Sequence, residues 1–333
     1  MTDRYHRQQQ VPQFGSASQQ RLTEAKILVV GVGGLGSPLS TQLAGAGIGQ
    51  LTLVDHDVVS LSNLHRQSLY TEADVGQVKV LAAQQHLNDI NGEIKIQAIQ
   101  QALSPDNAKQ LVSSHTVVVD AADSFFTSYL LSDLCFKHRI PLVSASVLQT
   151  NGYVGVFCGT LKNPAPSMRA IFPSPPLTAN NCDTVGVTGP SVGVIGSIQA
   201  QEVLKIVLQD PAQLLGKLLY LDCWDYRQNI VSFEDANEPS QIAPLIAEHD
   251  VSERDVLLDV RSELEVQEQA RAKTVLNIPV DQIQQRHSEL TNELTNESNH
   301  ANRIVCVCKS GQRALHAAHQ LIELGHNNIA VAL

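Results

Sequence analysis

The sequence predicts an α/β fold, with a mostly parallel sheet flanked by helices and a smaller α/β unit behind it. Three observations carry this. Between Ile27 and about Ile140, short β-branched runs alternate with helix-like stretches, and strands separated by helical segments imply βαβ units. A glycine-rich turn, Gly31-Val-Gly-Gly-Leu-Gly36, stands between the first such run and a helix. From Phe233 to Pro244 the composition shifts to Glu, Asp, Asn, Pro, Ser and Gln, and new strand-like runs begin beyond it.

In order, strands are expected at 27–30, 51–54, 94–96 and 117–119, and 141–146 and 152–158 continue the sheet. Residues 163–176 hold five prolines and read as a loop. A long helix follows over 191–208, then a final strand near 218–221. The first domain is expected over 1–230, a linker over 231–248 and the second domain over 249–333. In the second domain, 256–260, 274–278 and 304–307 read as strands and 312–324 as a helix. The polar stretch 287–302 reads as an insertion or loop. No internal repeat is found.

At 333 residues the chain is long enough for two cores. Hydrophobic residues make up 43 % and charged residues 17 %, a soluble globular composition. The net charge of -10 argues against a nucleic-acid partner. It also means that affinity for phosphate must come from a few well-placed cations. The first ten residues are polar and lack a signal-peptide core. The weakly polar run 185–200 holds four glycines and Pro190, short of the roughly 18 to 20 apolar residues of a membrane span. A cytoplasmic protein with no membrane contact is expected. Cysteines at 135, 158, 182, 223, 306 and 308 are scattered, which suits reduced thiols better than a disulfide framework.

Gly31, Gly33, Gly34 and Gly36 follow a strand and open a helix, as a Rossmann-like dinucleotide fingerprint does. Glycines let backbone amides approach phosphate, and the helix N-terminus favours the anion. Asp55 ends the next strand nineteen residues after Gly36, a placement that suits a ribose hydroxyl. Alone, this motif favours NAD over ATP. The residues that follow reverse the preference. Asp55-His-Asp57-Val-Val-Ser-Leu-Ser62-Asn63-Leu-His-Arg66-Gln67 places two acids, an asparagine and a cation past the second strand, and Lys79 lies thirteen residues on from Arg66. Asp120-Ala-Ala-Asp123-Ser124 adds another acid at a strand's C-terminal end, where open α/β sheets bind ligands. Arg66 and Lys79 are candidates to hold a triphosphate, and Asp123 to hold Mg²⁺, which takes one or two carboxylates plus substrate phosphates.

With these five elements in order, residues 4–228 resemble the molybdopterin-synthase and thiamine-pathway adenylyltransferases, bacterial relatives of the ubiquitin-activating enzymes. The resemblance implies that Gly34 and Asp55 contact nucleotide, that Ser62, Asn63, Arg66 and Lys79 line the phosphates, and that Asp123 binds Mg²⁺. It implies a homodimer in which Arg7, within Tyr5-His-Arg7-Gln8, reaches the partner's ATP. It also implies the substrate, the C-terminal Gly-Gly carboxylate of a small ubiquitin-like sulfur carrier. That carboxylate attacks the α-phosphate with no general base. Two departures stand out. The family usually has Asp-Asn where this chain has Asp123-Ser124. Many relatives hold zinc by two Cys-x-x-Cys pairs, but here the first position reads Ser167-Met-Arg-Ala170 and the second offers only Cys223, so no zinc is expected. Cys182, in Asn180-Asn-Cys-Asp-Thr-Val-Gly186, resembles the family's cysteine loop, where the thiol forms a thioester or acyl persulfide; the other reading is an exposed loop cysteine. Cys135 and Cys158 stand in apolar runs and are expected in the core.

The second domain resembles a rhodanese. Val256-Leu-Leu-Asp-Val-Arg261 matches its strand, and Val305-Cys-Val-Cys308-Lys-Ser-Gly-Gln-Arg313 its active loop. A cysteine heading a loop that runs into a helix has backbone amides and a helix N-terminus around its sulfur, which stabilise a thiolate or persulfide. Cys308 is the expected sulfur carrier site and Cys306 a packing residue. The chain reaches Leu333 before the Gly-Gly loop and final helix of the family domain, so a C-terminally incomplete domain is expected. The function expected is ATP-dependent adenylylation of the carrier with release of pyrophosphate, coupled to sulfur transfer in molybdopterin or thiamine biosynthesis. A cysteine desulfurase is the expected kind of persulfide donor. Two alternatives stand beside it, an NAD(P)-dependent oxidoreductase and a non-catalytic nucleotide-binding scaffold for a ubiquitin-like partner.

Overall fold

The computed structural model describes residues 3–14, 16–176, 185–269, 271, 276–295 and 303–333. Among these, eight strands form the first sheet: β1 (Lys26–Val30), β2 (Gln50–Val54), β3 (Lys95–Ile99), β4 (Val117–Asp120), β5 (Leu142–Leu148), β6 (Asn151–Phe157), β7 (Lys217–Asp222) and β8 (Arg227–Ser232). Their order is β3-β2-β1-β4-β5-β6-β7-β8. The β3 to β5 half is parallel and the β5 to β8 half antiparallel. The strand expected last, at 218–221, is therefore followed by another. Every residue of β8 is exposed, so Arg-Gln-Asn-Ile-Val-Ser lacks the one-sided apolar period that marks a strand.

The first-domain helices are α1 (His6–Gln9), α2 (Ser16–Glu24), α3 (Gly36–Ala46), α4 (Lys79–Ile90), α5 (Pro105–Ser113), α6 (Phe125–His138) and α7 (Gly189–Leu208). Strand side chains alternate between two faces, and β1 divides accordingly. Ile27 and Val29 join Leu39, Leu43, Val80, Leu87 and Ile195 from α3, α4 and α7. Leu28 and Val30 face Ala108, Val112, Phe126 and Leu130 from α5 and α6. Burial on both faces is why these parallel strands read as unbroken apolar runs. By length and composition α7 could cross a bilayer, but it packs against α3, β5 and β6. Its Glu202 is buried and bonded to Lys205 Nζ (2.7 Å) and the Leu214 amide (2.7 Å).

The second sheet is all parallel, in the order β11-β10-β12-β13-β9, with β9 (Leu245–Ile246), β10 (Val256–Asp259), β11 (Leu276–Asn277), β12 (Ile304–Val307) and β13 (Ile329–Ala332). Its helices are α8 (Glu263–Glu268), α9 (Ile283–Thr295) and α10 (Gln312–Glu323). The segment expected as a loop from residue 287 is helical as far as Thr295; residues 296–302 lie outside those described. Ile283 and Leu290 are fully buried, and seven residues is two helical turns, so both anchor the same face of a largely polar helix. Of the strand expected at 274–278, Thr274 and Val275 fall outside the described residues. The core behind β10 and β12 runs without a break into the Phe126 side of the first sheet.

Candidate active site

The site forms where β1, β2 and β4 end. Gly31 has φ +90, and a Cβ there would stand 2.5 Å from the Ala121 carbonyl oxygen; at Gly36 it would collide with the carbonyl of Gly31. Only glycine allows that backbone and that approach. Between them the Val32 amide donates to Asp55 Oδ2 (3.0 Å), and the Asp57 amide to Asp55 Oδ1 (2.9 Å). Asp55 thus ties the turn after β1 to the turn after β2. Ser37 Oγ closes the helix start on the Gly33 carbonyl (2.7 Å).

The cations flank this turn. Lys79, first residue of α4, is 5 % exposed. Its Nζ lies 2.9 Å from Asp57 Oδ2, and its amide donates to the Asp57 carbonyl (3.0 Å). Arg66 Cγ and Cδ lie 3.8 and 3.9 Å from where a Gly34 Cβ would stand, so the side chain covers the turn. Arg66 Nη1 is also 2.9 Å from His65 Nε2. Ser62 and Asn63 belong to a short 3-10 turn, and the Asn63 carbonyl accepts from the Arg66 and Gln67 amides (3.0 Å each). Tyr70, which the sequence reading did not single out, donates to the carbonyls of Val32 (2.8 Å) and Lys79 (3.3 Å) and so locks the glycine turn to α4. Burial, reinforced by Asp55 and Asp74, raises its phenol far above the ordinary range and keeps it a neutral donor.

Asp123 is exposed on the turn after β4. Ser124 caps α6, its Oγ accepting from the Thr127 amide (3.5 Å). Below them Asp120, also missed from sequence, is 1 % exposed. It accepts from Ser144 Oγ (2.8 Å) and the Ala122 amide (3.3 Å). Burial pushes its pKa up to about 6, against hydrogen bonds from Ser128, Ser144 and Ala122. Arg7 is exposed on α1 and stands outside these contacts. Its segment is anchored on either side: Asn91 Nδ2 donates to Tyr5 Oη (2.8 Å) and Gln8 Nε2 to the Ala46 carbonyl (3.0 Å). Cys182 lies outside the described residues. The Ser167 amide and Oγ donate to the Glu238 carboxylate (2.6 and 2.7 Å). Cys135 and Cys158 are in the core, and burial raises both thiols.

In the second domain, Cys308 follows β12 directly and is fully buried. Its carbonyl accepts from Arg271 Nη2 (2.8 Å). Gly311, at φ +79, turns the chain into α10. Arg313 makes a bidentate pair with Glu265 (2.7 Å twice), and Arg261 pairs with buried Asp259 (2.6 Å). Cys306 is buried within β12, its thiol raised by burial, as a packing residue's would be. The loop rests on the first domain. A Cβ at Gly311 would stand 2.6 Å from the Phe126 ring, Gln312 Nε2 donates to the Pro176 carbonyl (2.6 Å), and His316 Nδ1 lies 3.1 Å from the Pro175 carbonyl.

Two family models match the chain. The ThiF family matches residues 5–242, and the Rhodanese-like domain matches residues 239–333. "Adenylyltransferase and sulfurtransferase MOCS3" of Anopheles gambiae is 44 % identical over 221 residues, covering 66 % of this chain and 49 % of that protein. Its namesake in Arabidopsis thaliana is 33 % identical over 378 residues, covering 98 % and 80 %. "Sulfur carrier protein adenylyltransferase" of Thermus thermophilus is 42 % identical over 224 residues, covering 66 % and 83 %. The chain spans 49 % to 50 % of the length of the first curated relatives it matches. Among solved structures, E. coli MccB with ATP aligns with a TM-score of 0.61 at 22 % identity, covering 70 % of this chain and 72 % of that one. MccB with MccA-N7isoASN gives 0.62 at 21 %, covering 72 % and 74 %. That likeness establishes the α/β fold, and the sequence matches establish the kinship: the chain belongs to the ThiF family and carries a rhodanese-like domain behind its ThiF domain.

Proposed function

We propose that this chain adenylylates the C-terminal glycine carboxylate of a small ubiquitin-like sulfur carrier ending in Gly-Gly, and that Cys308 then delivers sulfur to the activated carbonyl. One observation carries the reading: two cations, Arg66 over Gly34 and buried Lys79 beside Asp57, flank a glycine turn at the C-terminal ends of the strands. A hydride-transfer site has no need of that pair; a triphosphate does. The carrier's carboxylate, already ionised, attacks the α-phosphorus, and the bond to the bridging oxygen breaks as pyrophosphate leaves. Negative charge grows on the leaving group, and Arg66 and Lys79 stabilise it. Asp55 is read as the ribose ligand, and Ser62 and Asn63 as phosphate ligands. Asp123 offers an exposed carboxylate oxygen where the strands end, a hard donor that suits Mg²⁺, which would offset phosphate charge when bound. With a hydroxyl at Ser167 engaged by Glu238, the chain is read as working without zinc.

The second half-reaction begins when an external donor such as a cysteine desulfurase leaves a persulfide on Cys308. The Cys182 thiol displaces AMP from the acyl-adenylate, and the persulfide's outer sulfur then attacks the resulting thioester carbon and frees the Cys182 thiol. A second thiol then attacks Cys308 Sγ, releasing the carrier's thiocarboxylate and leaving a disulfide. Cys182 is the proposed holder of the acyl group between steps. The assembly is read as a homodimer in which Arg7 of one protomer reaches the nucleotide of the other; its exposure beside an anchored Tyr5 supports this. The test is exchange of labelled pyrophosphate into ATP with molybdopterin-type and thiamine-type carriers in turn. Exchange with one of them supports the reading, and exchange with none defeats it.

A further inference from the structure

Three arginines stand near the Cys308 loop, and two of them are committed to acids of their own domain. Arg261 pairs with buried Asp259 (2.6 Å) and Arg313 with Glu265 (2.7 Å twice). Arg271 makes a different contact. One arm of its guanidinium, Nη2, donates to the Cys308 carbonyl (2.8 Å), and the other, Nη1, to Glu248 Oε1 (2.7 Å). Glu248 begins a 3-10 turn, Glu248–Asp250, that is itself held in place. Arg303 Nη2 donates to the Asp250 carbonyl (2.7 Å), and His249 Nε2 lies 3.3 Å from Asp106 Oδ1 on α5 of the first domain. The Glu248 side chain is 65 % exposed, and an ion pair so placed adds little to stability. The bridge therefore calls for a reason other than holding the fold.

What the bridge fixes is the peptide that joins Cys308 to Lys309. That peptide is trans, and in a trans peptide the carbonyl and the amide that follows point in opposite directions. A carbonyl gripped by Arg271 thus turns the Lys309 amide away from the guanidinium. Among the described residues, no backbone carbonyl accepts from the amides of Lys309, Ser310 or Gly311, which leaves those donors for a sulfur anion. We propose that Arg271 is a positioning residue for sulfur transfer, gripping the head of the Cys308 loop so that the loop amides face the sulfur. A guanidinium fork spans two acceptors in a fixed geometry, whereas an ammonium is a point charge. This deepens the sulfur-transfer reading and rests on Cys308 as the sulfur site.

The test is sulfur transfer from thiosulfate to cyanide by the intact chain. Cys308 takes the outer sulfur of thiosulfate as sulfite leaves, and cyanide then removes that sulfur as thiocyanate. Arg271→Ala lowers kcat about 10-fold to 100-fold, the cost of a misplaced reacting group. It leaves KM for thiosulfate within about twofold and shifts the melting temperature by less than about 2 °C. Arg271→Lys, which keeps a donor for the carbonyl, recovers part of the lost kcat, and added guanidine restores turnover to Arg271→Ala. An unchanged kcat in Arg271→Ala overturns the proposal. So does a raised KM with kcat intact, which shows an arginine that binds the donor anion. A kcat that neither lysine nor guanidine improves, with a lowered melting temperature, shows a structural residue and overturns it too. If wild-type protein forms no more thiocyanate than Cys308→Ser, the Cys308 reading itself falls, a result separate from any Arg271 variant's.

Discussion

Side chain by side chain, the phosphate grip combines two differently supported cations. Lys79 is buried and held by Asp57, while Arg66 lies across the glycine turn. Arg66→Ala and Lys79→Ala should each lower adenylylation about 10²-fold, as loss of a preorganised transition-state contact does; single-turnover rates check this. Both residues were legible because charge stands out against an acidic background. Tyr70 and Asp120 were not: a lone tyrosine carries no spacing signal, and Asp120 gains its character only from burial. That burial has a measurable consequence. The folded-state pKa of Asp120, up to about 6 from 3.8, means that the native protein binds the proton more tightly than the unfolded chain. Its ionisation therefore destabilises the fold above that value, and acidification from pH 7 towards pH 4 relieves the penalty. Relative to Asp120→Asn, the wild type should gain about 2 to 3 kcal/mol over that window, read from urea unfolding at each pH. A pH-independent difference would contradict the assignment.

The elements that read well from sequence are those whose burial is uniform. β1, β2 and β4 are buried on both faces and appear as apolar runs, and the glycine turn punctuates the first of them. Where burial is nearly nil, as in β8, or falls on two of the described side chains, as in α9, the pattern vanishes into polar background. The segment from 287 reads as a loop on those grounds, although Ile283 and Leu290 anchor it. If α9 is a true core element, Leu290→Ala should destabilise the protein by about 2 to 5 kcal/mol. A surface loop would tolerate the change within about 0.5 kcal/mol. Chemical denaturation followed by circular dichroism separates the two.

In the molecule as a whole, the two domains share one apolar core, and the Cys308 loop is pressed on α6 of the first domain through Gly311 and Phe126. Contacts of this kind leave no trace in the sequence of either partner, since Phe126 reads as an ordinary helix residue. Because Cys308 is fully buried, it should react with iodoacetamide at least about tenfold more slowly than an exposed thiol, as a thiol without solvent access does. Phe126→Ala should accelerate its labelling, as peptide mapping by mass spectrometry would show. Rapid labelling of Cys308 in the wild type would mean that the domains do not hold this arrangement.

The separation of adenylylation from sulfur transfer is tested most directly by Cys308→Ser, assayed with the competent carrier for pyrophosphate exchange and for thiocarboxylate formation from a persulfide donor. Exchange at the wild-type rate with no thiocarboxylate is the result expected, because the first step uses the carrier's own carboxylate and the second needs the sulfur of Cys308. Loss of exchange in Cys308→Ser, or thiocarboxylate formed without Cys308, would contradict it.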